Sequence, residues 1–580
     1  MKMPLEAASK NESCNRSSSS RSDELDHNTF LIVVNNVGSA DGRLTVEVRG
    51  LVATQIEDSA WVHAGTLIGR RPANRRVHAE PAQYLRETLG ILIGRDPQNN
   101  VCIWTDRFSS LPCYATQREG RAFLSNDLGL LLSLLDSRSI EPVAFWECLL
   151  FDWPLQGRTP YKEVIQLSAA TKTVLAKELS PASSERYWNY QFESMPFMGA
   201  QKTAQEAQGR LKEVFKRFVR TDQILFPISG GLDSRLLATI LPVTHRNAPI
   251  MPLNFAANPR SYDYRYANQT CKILGLPRPI FHKLDAKAYR DGARLFAKLN
   301  GGLISPAHAH LISWLATQEQ KPLPHTLVHG FFADASCGFA CSSTANNTIS
   351  ESVYFKVLMR ARNRYAIPPT IAEAIVADLE AIRDAWLDGS SVTSFKEYLY
   401  VALKHPVFQL PLADLYSRFV ENVFLPHCEP EVADFFFGLP TEYRVGKRGV
   451  RMILAELNPR LYKLGDVSSF PHAFTPDIRG QARLLRFKFW NALDWGLSFL
   501  TKGHMVPLNP FETEYQPHML RRPLKKEVQQ SVDYFISLGA LDPTVSSKLQ
   551  TRGWSATFNI ASWGLAEAYQ TWSAFWSRDH

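Results

Sequence analysis

Ile224-Leu225-Phe226-Pro227-Ile228-Ser229-Gly230-Gly231-Leu232-Asp233-Ser234 is the stretch on which the reading of this chain turns. Its first five residues are mostly large and apolar and read as a short buried strand. Ser229-Gly230-Gly231 breaks the pattern, and Leu232-Asp233-Ser234-Arg235-Leu236-Leu237-Ala238-Thr239-Ile240 reads as an opening helix. Strand, glycine turn and helix in succession set backbone N–H groups and the positive end of a helix dipole beside an anion. Two adjacent glycines are expected to take positive φ and to let the backbone approach a phosphate closely. Ser229 and Ser234 add hydroxyl donors. Asp233 disfavours bare phosphate, so a carboxylate there points to a bridging Mg²⁺. No G-K-[ST] follows, which excludes a Walker A loop. The alternative is an ordinary turn between a strand and a helix.

At 580 residues the chain exceeds one ordinary domain, and two or three are expected. An apolar content of 45% with 21% charged residues is that of a globular protein rather than a disordered one. The net charge of +9 is spread along the chain without a dense Lys/Arg tract, so nucleic acid is not expected as a partner. The cysteines form no C-x-x-C pair and no zinc spacing; Cys337 and Cys341 read as a reduced, buried pair. No apolar run reaches transmembrane length and no signal peptide is read, so a soluble cytoplasmic protein is expected.

Residues 1–28 are polar with a Ser/Arg run and read as a flexible tail. Residues 29–174 read as a β-rich domain with strands at Phe30–Val34, Leu44–Val48, Trp61–Ile68 and Val101–Thr105. Residues 175–200 read as a linker. From 201 a helix to about Arg220 carries Ala204, Ala207, Leu211, Val214, Phe215 and Phe218 on one face and delivers the chain into the strand before Ser229. Ile250–Phe255, a helix opening near Asp263 and a strand at Pro279–His282 complete a β-α-β-α-β order, which implies a parallel, doubly wound sheet. Ligands bind such sheets beyond the carboxyl ends of the strands, which puts Asn254 and Phe255 on the same rim as Ser229–Ser234. For Phe255 the alternative is plain core. Helices are expected at Thr370–Leu387, Phe395–Leu403, Lys525–Leu538 and Ala556–Trp576.

The loop Ser229–Ser234 resembles the S-G-G-x-D-S loop of ATP pyrophosphatases, and most closely that of the asparagine synthetase group. Other segments carry the same resemblance. Asp106-Arg107-Phe108-Ser109-Ser110-Leu111-Pro112-Cys113-Tyr114, Phe123-Leu124-Ser125-Asn126-Asp127 and Thr159–Leu167 resemble stretches of a class II glutamine amidotransferase domain, and Arg186-Tyr187-Trp188 resembles the end of that domain. Thr326–Ala335 resembles the second nucleotide loop, and Gly446–Leu454 the basic segment of the synthetase domain. The resemblance, over residues 30–460, implies an α/β protein: a degenerate Ntn-hydrolase-like amidotransferase domain at 29–174, then a PP-loop synthetase domain with a helical C-terminal part at 201–580.

It also implies ATP and Mg²⁺ as cofactors. Ser229, Gly230, Gly231, Asp233, Ser234, Asn254, Phe255, Asp263, His329 and Gly330 would contact the nucleotide, and Asp233 and Asp334 the metal. For Asp334 a helix N-cap is the alternative. Arg451, with Lys447 as the other candidate, would stabilise charge on the attacked phosphorus; the alternative is a solvated basic turn. Cys14 and the start Met1-Lys2-Met3 do not supply the N-terminal cysteine of a glutaminase, and no glutamine-binding motif is present. The resemblance is therefore strongest to lasso-peptide macrolactam synthetases, which implies a precursor peptide and a leader peptidase as partners. A small-molecule amide ligase of β-lactam synthetase type and an inactive scaffold are the alternatives, the latter because Phe331, Phe332 and Ala335 depart from the second loop's pattern.

Overall fold

The computed structural model describes residues 30–34, 44–45, 53–56, 59–62, 81–464, 525–546 and 556–576, with scattered helical positions between 482 and 500. Within 81–464 the description breaks at 88, 97, 99, 136, 176–183, 220–222, 257, 284–285, 319–322 and 343–347. The tail 1–28, Cys14, and the strand expectations for Val46–Val48 and His63–Ile68 lie outside the described residues.

The protein is mixed α/β, with two antiparallel sheets in its first part and one parallel sheet in its second. The first antiparallel sheet orders its strands Leu44–Thr45, Leu31–Val34, Arg121–Ser125, Tyr114–Arg118, Ile165–Gln166. The second orders them Ser184–Arg186, Thr171–Val174, Val101–Thr105, Ile91–Arg95, Ser59–Val62, Ala53–Ile56. Side chains alternate across a strand. Ile91, Ile93 and Ile103 therefore enter the main apolar core with Ile32 and Leu124 of the other sheet. Leu92, Cys102 and Trp104 pack on the opposite face with Leu85 of the helix Pro81–Glu87. The stretch expected as a linker contains a strand: Ser184–Arg186 pairs with Thr171–Thr173. The short Ser-Glu-Arg run has no apolar signal; the exposed edge of its partner strand decides its conformation.

The second part is built on five parallel strands, numbered here within that sheet: β1 (Ile224–Pro227), β2 (Ile250–Ala256), β3 (Ile280–Lys283), β4 (Thr326–Val328) and β5 (Asn422–Phe424). Their spatial order is β3-β2-β1-β4-β5. β1 is buried throughout and pairs in register with β2 (Ile224 with Ile250) and with β4 (Ile224 with Thr326). The chain winds one way from β1 through β3 and the other way through β4 and β5. The carboxyl ends of β1 and β4 thus flank the point where the winding reverses, the place where such sheets open a crevice. The helix Ala200–Phe218 buries Ala204, Ala207, Leu211, Val214, Phe215 and Phe218, the face read from its spacing.

The main apolar core spans both parts, and a second cluster lies within the second part alone. Arg107 joins the two parts through Asp434 (2.8 Å), Asn126 through Asp414 (3.0 Å), and Arg158 through Asp378. Among the described residues no helix is long and apolar enough to cross a membrane, and Cys337 and Cys341 are buried free thiols.

Candidate active site

Asp233 lies six residues past Pro227, the end of β1, and Asp334 six past Val328, the end of β4. Adjacent parallel strands ending in equivalent loops bring the two carboxylates to one rim. Asp233 stands in the first turn of α1 (Leu232–Thr244). Asp334 stands in a short helix, Ala333–Ser336, whose N-cap is Phe332; the N-cap alternative for Asp334 does not hold.

Lys447 joins them. Its ammonium is ion-paired with Asp233, and its side chain is 6% exposed. Burial opposes the Lys447 charge, but Asp233, with Asp334 nearby, more than offsets this and holds the ammonium above its ordinary range. The chain delivers Lys447 through a kink. Gly446 (φ 62°, ψ 25°) and Lys447 (φ 59°, ψ 32°) are both left-handed between the helical turn Thr441–Arg444 and α2 (Arg448–Leu457). A lysine in that region is a strained residue, and such residues cluster at functional sites. The reading of Lys447 as part of a solvated turn is therefore overturned. Arg451 sits one turn further along α2, half-buried.

Asp334 has its own set of partners: Lys404 Nζ at 3.1 Å, Gln409 Nε2 at 3.3 Å and His405 Nε2 at 3.5 Å. Burial would raise its pKa; Lys404, then His405 and Lys447, outweigh it and hold the carboxyl well below the usual range. None of Lys404, His405 and Gln409 was singled out from the sequence. The helix expected at Phe395–Leu403 continues instead through wide π-helical turns over Tyr400–Gln409, with Pro406 inside. Proline cannot complete an ordinary turn, and widening accommodates it. The available signal was a Lys-His pair inside the apolar run Tyr400–Gln409: a cation in a core helix requires a partner.

The first loop differs in detail from its expectation. Gly231 has φ −80° and ψ 170°, and neither Gly230 nor Gly231 takes a positive φ. Their N–H groups are also engaged. Gly230 N–H donates to Asp263 Oδ1 (2.8 Å) and Gly231 N–H to Ser229 Oγ (3.2 Å), while Ser229 N–H donates to Ser234 Oγ (3.2 Å). The serine bonds are long and exchangeable for an anion's oxygens; the Asp263 bond is short and charge-assisted. Asp263 thus braces the loop, along with the fully buried Arg235, which donates to Gly230 O (3.0 Å). Asn254 is a brace as well: its Nδ2 donates to Ile228 O (2.8 Å) and Asp263 Oδ2 (2.7 Å), and its buried Oδ1 has no partner.

Phe255, the next residue, points elsewhere. It lines a cavity of about 640 Å³ with His329, Phe331, Lys404 and Gln409, so it is not plain core. His329 packs tilted against Phe331 (3.8 Å between centroids, 44°), and burial pushes its imidazole down to about 3. Beside Gly330 the space is open: an added Cβ would meet only Leu237 Cδ1, at 3.8 Å. Phe332, where the resemblance expects glycine, has the left-handed φ of 69° that glycine favours, with its ring fully buried against Phe108, His405 and Phe437.

Two ionised carboxylates from neighbouring strand ends, a serine-lined loop and a buried lysine fit a magnesium-bound polyphosphate: Mg²⁺ takes one or two carboxylates and completes its shell with phosphate oxygens and water. Among the described residues no three His, Cys, Asp or Glu side chains gather to hold a metal by themselves. No protein-family model matches the chain, and no curated protein matches it at a significant level.

Proposed function

We propose that the protein is an ATP-dependent amide ligase with a degenerate Ntn-hydrolase-like first domain and a PP-loop synthetase second domain. Its product is read as the macrolactam of a lasso peptide, closed between a side-chain carboxylate and the N-terminal amine of a core peptide that a leader peptidase releases. The observation that carries the reading is the pairing of Lys447 with Asp233 at the mouth of a doubly wound sheet, with Asp334 on the adjacent strand end. Asp233 and Asp334 would hold Mg²⁺, and Ser229, Ser234 and Lys447 would face the phosphates. Bound Mg–ATP supplies the phosphorus that turns a carboxylate oxygen into a leaving group, with loss of pyrophosphate and then of AMP.

The chain's own residues have separable tasks. Lys447, dry and fixed by its ion pair, offers a preorganised positive charge where negative charge develops. Asp334 is kept anionic by Lys404. Asp263, Asn254 and Arg235 hold the Ser229–Ser234 loop from beneath. The aromatic cavity past Lys404 excludes water from the activated acyl group.

A second reading, a small-molecule amide ligase, is favoured by the cavity's volume of about 640 Å³, which is that of a drug-sized ligand pocket. Mass spectrometry after incubation with ATP, Mg²⁺ and synthetic core peptides tests the first reading. The expected product has lost one water and resists aminopeptidase. Consumption of ATP with small amino acids but with no peptide supports the second reading and overturns the first.

A further inference from the structure

The cavity beside Asp334 is walled by both parts of the chain: Phe151, Asp152 and Trp153 come from the first, Tyr354, Lys404 and Phe408 from the second. Among the described residues eight Phe, Tyr and Trp rings line it, and Trp153 stacks on Phe408 (5.1 Å, 16°) across the junction. Such a lining selects an apolar, ring-bearing body.

Two charged groups stand in that lining. Lys404 carries three N–H donors; one goes to Asp334 Oδ2 (3.1 Å) and one to Tyr400 Oη (3.1 Å), which leaves a third for a ligand. Asp152 is the left-handed C-cap residue (φ 75°) of the helix Pro142–Phe151. Its Oδ2 lies 3.7 Å from His308 Nε2, and its Oδ1 is buried without a partner. Oδ1 has no accessible surface, so a ligand cation meets this carboxylate at Oδ2, on the part of the side chain left 19% exposed. Both charges reach the Tyr354 phenol in the same wall: burial pushes it up, Lys404 opposes and Asp152 adds.

We infer that this cavity binds a zwitterion with an aromatic or aliphatic body, its carboxylate on Lys404 and its ammonium on Asp152: an amino acid or a short peptide segment with a free N-terminus. The inference deepens the ligase reading and rests on it only in treating the bound acid as a substrate. It also makes the first domain part of substrate recognition rather than a bare support.

Titration calorimetry on the full chain without ATP tests it with three probes: the dipeptide Phe-Phe, its N-acetyl form and its C-terminal amide. The free dipeptide is expected to bind at least tenfold more tightly than either blocked form, and this comparison needs no variant. Asp152→Asn is expected to erase the advantage over the acetylated form, and Lys404→Met the advantage over the amide. Equal affinity of all three probes, or binding of none, overturns the inference. Dipeptide binding without ATP–pyrophosphate exchange for any carboxylate sinks the ligase reading and leaves this one standing. Exchange without zwitterion preference does the reverse.

Discussion

Lys447 is ion-paired with Asp233 across 214 residues of chain, and both are held in place by backbone features that the rest of the fold enforces. The pair explains why a lysine occupies a left-handed position. The kink at Gly446–Lys447 costs about 1–2 kcal/mol at a non-glycine residue, and a charge-assisted bond in a buried setting contributes about as much or more.

The relationship separates the two basic candidates. Lys447→Ala strips the site of its buried cation and leaves Asp233 without its partner. Carboxylate-dependent ATP turnover is expected to fall about a hundredfold to a thousandfold, as on loss of one preorganised donor. Arg451→Ala, half-buried one turn further along α2, is expected to stay within about fivefold of the parent, since Lys447 and not Arg451 is the cation paired with Asp233. Steady-state pyrophosphate release for both variants decides the matter. A dead Arg451→Ala with an active Lys447→Ala reverses the assignment.

Phe332 sets two effects against each other. Phe332→Gly relieves a positive φ worth about 1 kcal/mol but removes a buried ring, which costs about 3–5 kcal/mol. Net destabilisation of about 2–4 kcal/mol is expected in urea denaturation. A variant more stable than the parent shows that backbone strain dominates over the ring's packing on Phe108 and His405 at this loop, and one of equal stability shows that the two balance.

Stability is expected to fall on the acid side of neutrality. Burial holds His405 down to about 4, and His329 and His427 to about 3, from an ordinary value of 6.5. Each folded-state value is depressed, so the neutral ring belongs to the fold and the unfolded chain takes up protons first. The contribution is intact above pH 6.5 and is lost as pH falls from there through 4. For His405 the loss by pH 5 is about 1–2 kcal/mol. Melting temperatures between pH 7.5 and 5 check this, with His405→Asn expected to show a shallower decline. An unchanged slope in that variant rules out His405 as a contributor.

The parts of the fold with a repeating apolar pattern were legible in the sequence. β1, the helix Ala200–Phe218 and Ala556–Trp576 appear where periodicity puts them, because burial of one face or of a whole strand fixes both element and register. Ser184–Arg186 was not legible, since a polar edge strand takes its shape from its neighbour. At the site, Asp233 and Asp334 were readable from their loops. Of their partners, Lys447 was already a candidate beside Arg451, but its pairing with Asp233 comes through a kink that only the tertiary fold sets; Lys404, His405 and Gln409 were not read, because they reach Asp334 through a widened helix that a pattern of period 3.6 does not describe. Gly230 and Gly231 were assigned a backbone geometry they do not have; their N–H groups serve the loop itself, Gly230 through Asp263 and Gly231 through Ser229.

In the proposed ligase, Asp233 and Asp334 together would hold the metal of an adenylating ATP site. Carboxylate-dependent exchange of labelled pyrophosphate into ATP, measured with Mg²⁺ for the parent chain, Asp233→Asn and Asp334→Asn, tests it most directly. Exchange is expected in the parent, with a loss of about a hundredfold or more in each variant, because each removes one anionic ligand. Exchange that persists at parental rate in either variant, or is absent from the folded parent with every carboxylate supplied, contradicts the proposal.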